Sequence, residues 1–147
     1  MGPAWMVEGT AQVIEQVFME ETFGRVAPAL HQMRALAAGA ELTPRQIRVA
    51  REVRTAEAYD VSAYAVAMLV ERFGEETLFR YWRTVGETDN WYRAFEQVYG
   101  MTVESFETLY PTLRDDEMAQ REFLADRDMN GDHILAHRPL TEAELGR

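Results

Sequence analysis

The sequence predicts an all-α fold, a single compact domain of seven or eight helices packed around a central apolar helix over about 56–73. Three observations carry this prediction. Apolar residues recur at three- and four-residue spacing along most of the chain. No stretch alternates apolar and polar residues as a half-buried strand does. The run from Val61 to Val70 is apolar nearly all round, as a helix enclosed by others is. The 147 residues fit one domain with a real core, and 47% apolar with 11% aromatic content provides the surface to bury.

Met6, Thr10, Val13, Ile14, Val17 and Phe18 form a stripe at helical spacing, and Pro3 suits a first turn, so residues 3 to about 20 are expected as an amphipathic helix. Glu8 lies off that stripe, on the face of Trp5 and Gln12. Gly24 and Pro28 punctuate the chain before a short helix with Leu30, Met33 and Leu36, which Gly39 ends. In Thr43-Pro44-Arg45-Gln46 a capping hydroxyl, a proline at the first helical position and a glutamine reaching back predict another helix start. The central helix covers about Ala56 to Phe73, with Gly74 as its stop. Leu78, Phe79, Trp82 and Val85 give a short helix ended by Gly86, and Trp91, Phe95 and Val98 another ended by Gly100. Thr102 caps a helix holding Phe106, Leu109 and Leu113, which Pro111 kinks or ends. A polar helix through Met118, Phe123 and Leu124 follows. The helical domain is expected over 1–125, and 126–147 as a polar tail. The tryptophans at 5, 82 and 91 are expected in the core.

Composition excludes several functions. Lysine plus arginine number 15 against 25 acidic residues, a formal charge of -10, which repels a phosphate backbone and makes nucleic acid an unfavourable partner. The absence of cysteine removes disulfides, thiolate nucleophiles and Cys-ligated metal sites, and leaves the compartment open. No apolar run approaches the roughly 20 residues of a membrane span. No basic-then-apolar leader opens the chain, so a soluble domain without its own signal peptide is expected. No Gly-rich phosphate loop or Ser-His-Asp pattern is present.

One resemblance gives a more specific reading. Pro3-Ala4-Trp5-Met6-Val7-Glu8-Gly9-Thr10-Ala11 resembles the Trp-x-x-Glu-Gly-x-Ala segment of gluzincin (peptidase-MA-like) zinc metallopeptidases. About 50 residues on, Tyr59 through Gly74 is similar to the helix that follows it in that group. Glu76-Thr77-Leu78-Phe79, Trp91 through Phe95 and Tyr99 through Phe106 are similar to the closing helices of such domains. The likeness spans about residues 3 to 115. It implies that Glu8 matches the third zinc ligand, and that Tyr59, or failing it Tyr64, matches a tyrosine that hydrogen-bonds the developing oxyanion. In such enzymes two histidines one turn apart complete the zinc site and the glutamate between them is the base. No His-Glu-x-x-His occurs in this chain. The resemblance therefore implies a C-terminal helical part, truncated or non-catalytic as it stands. Zinc belongs to the complete domain and is not expected bound here, and a peptide or protein substrate is expected only if an upstream segment supplies the motif. Without the resemblance, Glu8 reads as a solvated residue near a helix start, and Tyr59 and Tyr64 as core aromatics.

Two further patterns lie near the end. His133 and His137 are spaced one turn apart like zinc ligands, but Asn130-Gly131 before and Pro139 after oppose a helix, and coincidence is the expected reading. His31, alone on a short helix, is expected to be a surface or partly buried histidine. Asp126, Asp128, Asn130 and Asp132, with Gly131 at the sixth position, follow the first half of an EF-hand calcium loop. The twelfth position is His137, where a bidentate glutamate is required. Glu144 would serve only if 133–139 were an insertion, and the same residues also suit a polar turn. The alternative function is a helical protein-interaction module, with calcium binding as an added capacity.

Overall fold

The structure is a computed structural model that describes residues 2–24 and 36–127, with side chains through Glu117 apart from Glu20 and Ala50. Every regular element among the described residues is helical, as expected. The order is α1 (Ala4–Phe23), a helical stretch at 36–39, 3₁₀ turns at Pro44–Gln46 and Ala50–Glu52, then α2 (Ala56–Phe73), α3 (Glu75–Thr88), α4 (Trp91–Tyr99) and α5 (Val103–Arg127).

Helix α2 has the bounds expected of it. The Thr55 side chain accepts from the Ala58 N–H at 3.2 Å, satisfying one of the orphan donors of the first turn. Gly74, with φ of 86°, ends the helix while its N–H donates to the Val70 carbonyl at 2.8 Å. Every residue from Asp60 to Leu69 is buried, so α2 is the central helix. Helix α1 lies against it. A Cβ built on Gly9 would sit 2.1 Å from the Ser62 carbonyl oxygen and 2.6 Å from a Val66 methyl carbon, so only glycine admits this approach.

Among the described residues the helices depart from the expected seven or eight in three places, each for a physical reason. First, Gly86 does not end a helix: α3 continues to Thr88, and Asp89 takes the left-handed conformation (φ 48°) that closes it. Gly86 is exposed, and its propensity cost of about 1 kcal/mol is small beside the burial of Tyr81, Thr84 and Val85. Second, Pro111 does not divide α5, which runs unbroken from Val103 to Arg127, because Tyr110 and Leu113 on either side are buried in the core. Third, the chain after Thr43 makes one 3₁₀ turn rather than a helix. Gln46 reaches back as expected, its Oε1 accepting from the Thr43 N–H at 2.9 Å. The next carbonyls are diverted, however: Ile47 O accepts from the Trp5 N–H and Arg48 O from the Ala4 N–H, both at 2.9 Å. These carbonyls cap the start of α1 and are lost to any helix continuing past Gln46.

The stripe on α1 is also corrected in part. Met6, Thr10 and Val13 are buried, whereas Ile14 and Phe18 are exposed. The close seat of Gly9 on α2 turns the Met6–Gly9–Thr10–Val13 side of the helix inward and leaves positions 14 and 18 outside. Trp5 is fully buried, stacked on Phe106 at 5.5 Å and edge-on to Phe95 at 6.4 Å. Trp82 and Trp91 are partly buried against the same core. The helical stretch 36–39 ends at Gly39 as expected, while Pro28, Leu30, Met33 and His31 lie outside the described residues. Among the described residues no helix is long and apolar enough to cross a membrane.

Candidate functional site

Glu8 lies on α1, half-buried, one residue before the glycine that seats the helix on α2. Tyr59, in the first turns of α2, is partly buried against the core. Tyr64 is buried, and its hydroxyl donates to Glu117 Oε2 on α5. Glu117 Oε1 in turn accepts from Arg72 Nη1 at 2.7 Å, and both of these charged side chains are almost wholly buried. The ring of Tyr110 stands edge-on to Tyr64 at 6.1 Å. Asp126 lies in the last turn of α5, which runs past the boundary expected at 125. Asp128, Asn130, Asp132, His133, His137 and Glu144 lie outside the described residues.

A second ionic cluster surrounds Glu107, which is also buried. Its Oε1 accepts from the indole Nε1 of Trp5 at 3.1 Å. The Arg48 guanidinium closes on the same carboxylate through Nε, at 3.2 Å to each oxygen, and through Nη2. Arg48 reaches further, to the Tyr92 hydroxyl at 3.2 Å and to Glu104 Oε1 at 3.3 Å, and Tyr92 donates to Glu104. The Glu107 hydrogen bond raises the Arg48 pKa against the opposing effect of burial, so the guanidinium is held charged. Desolvation pushes the Glu104 carboxyl up, but the Tyr92 hydroxyl, its own backbone and Arg48 together hold it below the ordinary value. Tyr92 is pushed up chiefly by its bond to Glu104.

Both clusters follow one pattern, a glutamate on α5 neutralised by an arginine from another segment and donated to by an aromatic side chain. Each buried carboxylate accepts hydrogen bonds on both of its oxygens, so the arrangement fixes α5 against α1, α2 and the 47–48 segment. By contrast the Tyr81, Tyr99 and Tyr110 hydroxyls are buried with no hydrogen-bond partner among the described residues, and burial drives all three pKa values upward.

The sequence reading missed Glu107, Glu117, Arg48 and Arg72. One signal was present: Glu107 adjoins, and Glu117 falls on, the face that Val103, Phe106, Tyr110 and Leu113 bury. Among the described residues no group of three or more His, Asp and Glu side chains is placed to hold a metal ion. No protein-family model, curated protein or solved structure matches the chain.

Proposed function

We propose that this chain is the C-terminal helical part of a gluzincin-like zinc metallopeptidase domain, non-catalytic by itself. The supporting observation is the seat of Gly9 on Ser62 and Val66. It packs the segment carrying Trp5, Glu8 and Gly9 onto the helix carrying Tyr59 and Tyr64, the two stretches that bear the resemblance. Glu8 is thereby held on a helix whose position is fixed by backbone contact, as a metal ligand has to be.

A catalytic zinc site needs about three protein ligands, and Glu8 supplies one, so the described residues do not make a zinc site and no step of hydrolysis is assigned to them. When bound in a complete domain, zinc would supply an activated water. Of the two tyrosines, Tyr59 is the better placed to meet a substrate, since Tyr64 donates to a buried carboxylate.

The test begins with the gene. The reading frame upstream of Met1 is sequenced, the extended protein is purified, and its zinc content and peptide hydrolysis are measured beside those of Glu8→Gln. The expected results are an upstream His-Glu-x-x-His, one zinc per chain, and loss of metal and activity in the variant. An upstream frame without the motif, or zinc content indifferent to Glu8→Gln, defeats the reading.

A further inference from the structure

The outward side of α1 between Ile14 and Phe23 is apolar where a helix at the surface is ordinarily polar. Ile14 is 44% exposed, Phe18 60%, Met19 37% and Phe23 60%. These form two pairs at four-residue spacing, and each pair therefore lines one edge of the helix surface. Between the pairs runs exposed Glu15, one turn before both Phe18 and Met19, and exposed Glu21 lies beyond Phe18. Helix α1 carries four glutamates and no lysine or arginine. A cluster of large exposed apolar residues of this kind marks an interaction surface.

The charge indicates what covers it. A second copy docking by the same face gathers the Glu15 and Glu21 carboxylates of both copies into one interface with no lysine or arginine of α1 to balance them. A membrane surface carries anionic headgroups, which the glutamates repel. We propose that this face of α1 docks a basic amphipathic helix of a partner protein, in which lysine or arginine meets Glu15 and flanking apolar side chains cover Phe18 and Phe23. This inference stands apart from the peptidase reading and uses none of its residues.

The probe is a fluorescein-labelled helical peptide of roughly 20 residues built from Leu, Ala and Lys, with a lysine seam flanked by leucines. Its counterpart carries Glu in place of Lys. Fluorescence anisotropy should show the Lys peptide binding and the Glu peptide not. Phe18→Ser with Phe23→Ser should weaken binding by about tenfold or more, while the thermal melt shows the fold retained, since both positions are exposed. Glu15→Lys should reverse the preference between the two peptides. Binding unaffected by the double serine variant, or a preference that Glu15→Lys leaves in place, overturns the proposal, because attraction then comes from the acidic surface in general. A wild type that sediments as a dimer while the serine variant is monomeric also overturns it, in favour of a second copy.

Discussion

Alanine in place of glycine should have opposite effects at two helical positions. At Gly9 the new Cβ would lie 2.1 Å from the Ser62 oxygen and 2.7 Å from its carbonyl carbon. Both are backbone atoms at the middle of α2, so no side chain can rotate away, and α1 has to lift by about 1 Å. Overpacking of this sort costs about 1–3 kcal/mol, and a clash with backbone belongs at the top of that range. The better helix propensity of alanine returns about 1 kcal/mol, leaving a net loss of about 2 kcal/mol. At Gly86, nothing lies within 4 Å of the added carbon, and only the propensity gain of about 0.5–1 kcal/mol remains. Urea unfolding followed by circular dichroism measures both. At about 3 °C per kcal/mol for a chain of this size, the melts should move by roughly 6 °C down and 1.5–3 °C up. A Gly9→Ala protein as stable as the parent would show that α1 is not seated on α2 at this point.

The remaining expectations concern the buried polar groups. Glu117→Leu should cost about 3–5 kcal/mol by leaving Arg72 buried and unbalanced, and the double variant with Arg72→Met should recover most of it; strictly additive losses in a double-mutant cycle would contradict the pairing. Tyr64→Phe removes a hydrogen bond to a carboxylate and should cost about 1.5–3 kcal/mol, whereas Tyr99→Phe deletes a hydroxyl without a partner and should cost nothing; equal losses in chemical denaturation would refute the distinction. Asp60 is pushed upward by burial and then by the charge of Glu57. A carboxyl whose folded pKa is raised loses stability as pH climbs from its unfolded value near 3.8 through its folded one, so Asp60→Asn should stabilise the protein at neutral pH and lose that advantage below about pH 3.8. Stability curves for the two proteins that stay parallel across that range would rule this out.

What was legible in the sequence follows from which interactions are local. Helix α2 could be placed at about 56–73 because its apolar run and its terminal glycine are neighbours in the chain, while the Thr55 cap went unread. Gly86 and Pro111 misled because a local breaker is a weak prior, overridden when tertiary contacts hold the residues on both sides. The 3₁₀ turn at Pro44–Gln46 shows the same in reverse, since its start signals were in place but the start of α1 claims the Ile47 and Arg48 carbonyls. Of the site residues, Gly9 stood in the sequence only as one letter of a motif, and its close approach to Ser62 and Val66 is a contact between distant segments that no local pattern announces. The glutamates at 107 and 117 could be noticed on an apolar face, but their arginines lie 59 and 45 residues away and no periodicity connects them.

The contact between Trp5 and Glu107 joins residues 102 positions apart. During synthesis the start of α1 therefore waits, with its indole and first amides unmatched, until the 47–48 segment and then α5 leave the ribosome. Closing so long a loop is a slow, non-local step that local helix formation does not accelerate. Between the synthesis of Trp5 and that of Glu107 the indole lacks the partner it has in the folded chain. In refolding, quenching of Trp5 by its arrival beside Glu107 and Arg48 would report the closing event after helicity has already appeared.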